Sequence, residues 1–153
     1  DAHGLVGARA LCGETRSVWL DLLFSHLVQP HLGRGRVTSV HHYPAFMPSL
    51  AAGCPGDADT VERVEIFLAG MELGNGFHEL ADAREQRTRF ERDLDMRRSL
   101  GLTVPDIDER LLAALASGLP DCAGIAIGLD RLLMALSGQT AIDEVLAFPV
   151  MRA

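Results

Sequence analysis

The chain has 153 residues, 48% of them apolar and 23% charged, and carries a formal net charge of -7. That length is enough for one domain with a real core, the composition excludes extended disorder, and no apolar run approaches the roughly 18 residues of a membrane-spanning helix. The acidic balance leaves no overall electrostatic footprint for nucleic acid, and because all 14 basic residues are arginines, any chemistry needing an internal lysine is excluded.

From the N-terminus, Asp1-Ala2-His3-Gly4 does not open a secretory signal, so a cytoplasmic protein is expected. Trp19, Leu22, Leu23 and Leu27 fall at helical spacing and predict a helix from Thr15 to Val28, ended by Gln29-Pro30, with His26 at its boundary. Val37 to Tyr43 is β-branched and aromatic enough for a strand. His41 and His42, as strand neighbours, are expected on opposite faces, one packed and one solvated, which argues against a shared metal. Pro44 to Asp59, rich in proline and glycine, predicts a long loop. Cys12, Cys54 and Cys122 are odd in number and have no C-x-x-C spacing, so small, partly buried thiols are expected.

At Val61 the period changes to two. Val64, Ile66 and Leu68 alternate with Arg63, Glu65 and Phe67, and Ala69-Gly70 leads into a second strand, Met71 to Glu79, giving an antiparallel hairpin. Asp82 and Glu85 suggest a capping box before a charged surface helix, Arg84 to Arg98, whose narrow apolar stripe is Ala83, Phe90 and Leu94. Pro105-Asp106 with Glu109 predicts another helix start, with Ile107, Leu111, Leu112 and Leu115 on its buried face. Gly124 to Ile127 reads as a buried strand, joined through Gly128 to a helix over 129–136, and Ala141 to Leu146 as a turn or two of helix.

Two stretches carry the chemistry. In Glu72-Leu73-Gly74-Asn75-Gly76-Phe77-His78-Glu79, two glycines weaken a strand and therefore imply that a ligand or another backbone comes close. Period-two geometry puts Asn75, Phe77 and Glu79 on one face, where a carboxylate and a ring suit an ammonium on an aliphatic stem. Glu65 and Glu72 are acceptors for a hard cation such as magnesium beside phosphates; parity separates Glu72 from Asn75 unless a bulge lies near Gly74 or Gly76. In Gly124-Ile125-Ala126-Ile127-Gly128-Leu129-Asp130-Arg131, a helix start with a planar cation suits a nucleotide phosphate, although an Asp130-Arg131 salt bridge is an equally simple reading.

The second stretch resembles motif 3 of the class II aminoacyl-tRNA synthetases, and Glu72 to Ala83 resembles the amino-acid-binding strand of the lysyl branch and its following helix. Pro120-Asp121-Cys122, Phe77-His78-Glu79-Leu80 with Asp82-Ala83-Arg84-Glu85-Gln86, and Ala126 in place of a glycine are closer to the ligases that modify elongation factor P than to the tRNA enzymes. Tyr43-Pro44-Ala45 and Ser49-Leu50-Ala51 extend the likeness over nearly the whole chain, while Phe46-Met47-Pro48 departs from it.

The resemblance implies an α+β fold, an antiparallel sheet flanked by helices, of which residues 1–153 would be the C-terminal part of the catalytic domain. The lysine-binding hairpin would be 61–80 and motif 3 would be 124–136. It implies an ATP-dependent ligase that activates lysine or (R)-β-lysine as an adenylate and transfers it to elongation factor P. Asn75, Phe77, Glu79 and Ala126 would hold the amino acid; Glu72, Leu73, Gly128 and Arg131 would hold ATP, with Arg131 and Glu72 acting catalytically; Glu65 and Glu72 would hold Mg2+. The intact protein would be a homodimer that neither needs tRNA nor meets a membrane. Motifs 1 and 2 of the family are not found, so these residues alone are not expected to form adenylate. A lysyl-tRNA synthetase and a catalytically silent paralogue are the alternatives.

Overall fold

The computed structural model describes residues 4–47 and 49–150; Pro48 of the divergent Phe46-Met47-Pro48 stretch lies outside the described residues. The elements are α1 (Ala8–Cys12), α2 (Arg16–Leu23), β1 (Thr38–Pro44), β2 (Gly53–Cys54), β3 (Asp57–Leu68), β4 (Met71–His78), α3 (Ala83–Ser99), α4 (Glu109–Ala116), β5 (Ala123–Ile127) and α5 (Leu129–Ser137). Among the described residues the strands form a five-stranded sheet in the order β1-β3-β4-β5, with β2 added to β3, and the fold is α+β with an antiparallel sheet and helices. The chain divides into two compact units, one of Asp1–Thr38, Phe67–Leu73 and Gly128–Ala153, the other of Ser39–Ile66 and Gly74–Ile127.

In the first unit, α2 begins after Thr15, and its last turn loosens to π-helical geometry over Phe24–Val28 before a 3-10 turn at Gln29–His31, which contains Pro30. A short α1 precedes it, which the sequence pattern did not announce. The turn that joins β3 to β4 has positive φ at both Ala69 (53°) and Gly70 (79°), as a two-residue type I′ hairpin requires. Leu32 and Gly33 cap this turn: the Ala69 and Gly70 amides donate to Gly33 O (2.8 Å) and Leu32 O (2.9 Å). Phe67, fully buried, packs edge-on against Phe24 at 5.9 Å. Ile142–Glu144 adds one 3-10 turn.

In the second unit, Tyr43, Ala51 and Val61 form a small core with Val40, Met47 and Phe77 packed on it. The loop expected over 44–59 is shorter than its composition suggests, because β2 forms within it and β3 begins at Asp57. Asp82 caps α3 by accepting from the Arg84 (2.8 Å) and Glu85 (3.1 Å) amides, while the Glu85 side chain turns to Arg89, so one half of the expected box is made. Arg89 in turn donates to Ser49 O (3.0 Å) and Ala51 O (2.6 Å), tying α3 to the loop before β2.

Four expectations are corrected. The start of α4 is capped by Asp108, which accepts from the Arg110 and Leu111 amides at 3.0 Å; Pro105-Asp106 and Ile107 stand before the helix, and Leu112 is buried whereas Leu111 is exposed. β5 is exposed along its length, because it closes the strand order with β4 as its neighbour. His41 and His42 do not point apart: His42 has φ 59°, which breaks the alternation, and the rings meet edge-on with Nδ1 atoms 2.8 Å apart, both residues exposed. Of the cysteines, Cys12 is buried and Cys54 half-buried, but Cys122 is exposed.

Candidate functional site

β3 shows its inward face through burial. Val61, Glu65 and Phe67 are the buried positions, and Val64, Ile66 and Leu68 are half-buried, so the apolar alternation named the other face. A carboxylate at 8% exposure needs a partner, since an isolated buried charge carries a large desolvation cost. Glu65 finds one two residues earlier on the same strand: Arg63 donates to Glu65 Oε1 at 2.5 Å and, through Nε, to Asn75 Oδ1 at 3.2 Å. The guanidinium also lies over the Tyr43 ring, 4.7 Å from its centre. Arg63 therefore organises two of the expected site residues, and the sequence reading assigned it no role. Its signal was available: it shares strand parity with Glu65, and a buried acid demands a cation.

β4 and β5 pair antiparallel without a shift from Gly74↔Ile127 to His78↔Ala123. No bulge lies at Gly76 on this side of the strand. The close approach implied by the glycines is made by backbone: a Cβ at Gly76 would stand 2.5 Å from Gly124 O and 2.8 Å from Ile125 Cβ, and one at Gly74 would stand 3.1 Å from Ala126 O. This register sets Asn75 opposite Ala126 and Phe77 opposite Gly124. Opposite residues of an antiparallel pair share a face, so the Ala126 methyl stands beside the Asn75 amide. Phe77 packs on the core cluster from the same strand.

Glu79 follows directly. Its amide donates to Cys122 O at 3.0 Å, and a Cβ at Gly124 would come within 3.0 Å of its Oε1, so this glycine leaves room for the carboxylate. The second unit thus holds Glu65, Asn75, Phe77 and Ala126 on β3, β4 and β5, with Arg63 among them and Glu79 just past the end of β4.

The first unit holds the other group. Gly128 is the N-cap of α5, and its amide donates to Leu73 O at 2.8 Å. Arg131 turns to Glu72, donating to its carbonyl oxygen at 2.8 Å with the carboxylate Oε2 at 3.8 Å; the salt-bridge alternative with Asp130 gives way to this pairing. The Arg131 side chain is 55% exposed and the Glu72 side chain 34%. A Cβ at Gly128 would meet the Arg131 side chain at 3.6 Å, an ordinary contact, so the protein itself would tolerate alanine there. Arg131 is therefore joined to Glu72, and Gly128 to Leu73.

Among the described residues, no three His, Cys, Asp or Glu side chains form a group able to hold a metal ion. A magnesium ion that keeps its waters and takes phosphate oxygens needs one or two accessible carboxylates; Glu65, expected as one of them, is buried and already neutralised by Arg63, whereas the Glu72 side chain is 34% exposed. No described helix is long and apolar enough to cross a membrane.

Residues 28–152 match the family described as tRNA synthetases class II (D, K and N). Over 140 residues, 92% of this chain, it is 51% identical to the elongation factor P–(R)-β-lysine ligase of Klebsiella pneumoniae (strain 342). It is 50% identical to the ligase of that name from Proteus mirabilis (strain HI4320) and 49% to that from Salmonella dublin, over the same extent. In each case the chain spans 43% of the relative's length. With a family match over most of its residues and half of them identical to such relatives, the chain belongs to the class II tRNA synthetases of the D, K and N group.

Proposed function

We propose that the protein carrying this chain is an ATP-dependent ligase that activates lysine or (R)-β-lysine and transfers it to a lysine of elongation factor P in the cytoplasm. The observation that carries this reading is the pairing of Asn75 with Ala126 beside Glu79 and Phe77, on a strand held by Arg63. An ammonium is recognised by the Glu79 carboxylate, the substrate methylenes lie on Phe77, and Asn75 supplies an amide. The Ala126 methyl narrows the recess relative to glycine, which favours a substrate whose amino group is displaced. The likeness to named (R)-β-lysine ligases supports the same choice.

The reaction has two steps. The substrate carboxylate attacks the α-phosphorus of ATP, the bond to the bridging oxygen of the leaving pyrophosphate breaks, and an aminoacyl adenylate forms. A lysine amine of the acceptor then attacks the acyl carbon, releasing AMP and a proton. Arg131 binds the terminal phosphate and neutralises charge on it, Leu73 and Gly128 lie along the nucleotide, and Glu72 orients Arg131 through the contacts already described. Magnesium, with Glu72 as its proposed carboxylate, would neutralise phosphate charge.

The test is pyrophosphate exchange by the intact protein with (R)-β-lysine, lysine and other amino acids, comparing wild type with Glu79→Gln. Loss of one charge-assisted hydrogen bond, worth about 1.5–3 kcal/mol, lowers kcat/KM for the amino acid by about 10- to 150-fold. Exchange that is equally strong in Glu79→Gln, or that follows an amino acid without a side-chain or β-amine, contradicts the proposal. Charging of tRNA rather than of elongation factor P would turn the reading to a lysyl-tRNA synthetase.

A further inference from the structure

Two of the stretches on which the resemblance rests, Phe77-His78-Glu79-Leu80 and Pro120-Asp121-Cys122, are joined in the fold by one side chain. His78 hydrogen-bonds through Nδ1 to Glu62 of β3 and through Nε2 to Asp121, just before β5. On the next residue the Glu79 amide donates to Cys122 O at 3.0 Å, and two residues further along Gly124 faces the Glu79 carboxylate. The carbonyl of His78 accepts from the Ala52 amide at 2.8 Å, so the residue is fixed through both backbone and ring.

We propose that His78 is a positioning residue for the amino-acid subsite: by clasping Glu62 and Asp121 it locks the end of β4 to the 121–124 segment and thereby sets where the Glu79 carboxylate stands. The proposal rests on the reading of Glu79 as the ligand for the substrate amine. Strand parity places His78 on the face opposite Glu79, so it acts through the backbone and does not touch the substrate beside Glu79.

The chemistry of the clasp gives it a pH dependence. Carboxylates only accept, so holding both requires both ring nitrogens to be protonated; a neutral imidazole donates through one nitrogen and loses one arm. The hydrogen bonds from Glu62 and Asp121 raise the His78 pKa above its ordinary value of 6.5. His78 and Glu62 border a shallow surface pocket, whose other charged or titratable groups are His41 and His42 of β1 and Arg63 of β3, the last already engaged with Glu65 and Asn75. A raised pKa means the clasp is closed at and below neutral pH and opens as pH climbs through the elevated value.

Asp121→Asn is the informative variant, because the Asp121 side chain is 89% exposed and its amide analogue leaves packing unchanged. In the intact protein the amino-acid KM in pyrophosphate exchange is expected to rise up to about fivefold, the upper end of what a solvent-exposed charged pair is worth. The ATP KM stays within about twofold of wild type by the same reasoning, since the change is confined to the amino-acid subsite. The alkaline rise in the amino-acid KM moves to lower pH. Independently of any substrate, the Glu79 amide resonance should follow the His78 ring titration in wild type and shift with it to lower pH in Asp121→Asn. Equal changes in both KM values, an unmoved pH profile, or a Glu79 amide that ignores the His78 titration would overturn the proposal. A wild-type protein that lacks lysine-dependent exchange but shows the coupled resonances would instead remove the functional reading and keep the clasp.

Discussion

Replacing Gly76 by alanine tests the β4–β5 register on which the amino-acid face depends. The added methyl would stand 2.5 Å from Gly124 O, 2.8 Å from Ile125 Cβ and 2.9 Å from Ile125 Cα, all closer than carbon tolerates, and two of the three atoms belong to backbone that cannot rotate away. The strands must separate or slide, and overpacking of this kind costs about 1–3 kcal/mol. For a domain of this size each kcal/mol lowers Tm by about 2–4 °C, so a loss near 2 kcal/mol gives a fall of about 4–8 °C. Gly53→Ala is the control: its Cβ meets nothing within 4 Å and its φ is not positive, so it should be neutral or stabilise by about 0.4–1 kcal/mol through the unfolded chain. Thermal melting followed by circular dichroism on both variants decides it. If Gly76→Ala melts with wild type, β5 does not lie against Gly76, and the placement of Ala126 beside Asn75 fails with it.

Other consequences are equally direct. Ala126→Gly removes the methyl opposite Asn75 and should shift the ratio of kcat/KM for (R)-β-lysine over lysine toward lysine by about tenfold, the lower end of what one methyl group is worth in a pocket; an unchanged ratio in exchange assays counts against a pocket role for Ala126. Asp108→Ala removes the cap of α4 at about 1 kcal/mol and should lower Tm by about 2–4 °C, whereas Asp106→Ala should leave it unchanged. Asp82 is held below the usual carboxylate range by the Glu85 and Arg84 amides, and Glu109 by Arg87. Because these pKa values are depressed by folding, the stability they confer is present above about pH 4–5 and lost as pH falls through the folded values. Melting curves in acid should show Asp82→Asn, which caps without titrating, losing less stability than wild type between about pH 5 and pH 3.

The parts that the sequence made legible are those where local chemistry and fold agree. The unit from β5 through Gly128 to α5 is visible because a short apolar run, a glycine and a helical stripe occur in that order, and Arg131 then has Glu72 within reach. The hairpin turn is visible as Ala69-Gly70, and the Asp82 cap as an acid before a charged helix. What could not be read depends on tertiary context. Apolar alternation in β3 pointed to Val64, Ile66 and Leu68, yet the buried face holds Glu65, because Arg63 neutralises it and Asn75 completes the network. Parity failed at His42 because a positive φ turns the ring toward His41. Asp106 and Asp108 both look like caps, and only the path of the chain selects the second. The glycines of β4 signalled close approach correctly, but sequence could not say that the neighbour was the backbone of β5.

The most direct measurement is a crystal structure of the intact protein with a non-hydrolysable (R)-β-lysyl-adenylate analogue. The substrate ammonium is expected within hydrogen-bonding distance of the Glu79 carboxylate, its methylenes on Phe77 and its backbone-side polar group near Asn75 beside the Ala126 methyl. An analogue bound with its ammonium away from Glu79, or with Glu79 turned from the face that carries Asn75 and Phe77, would contradict it.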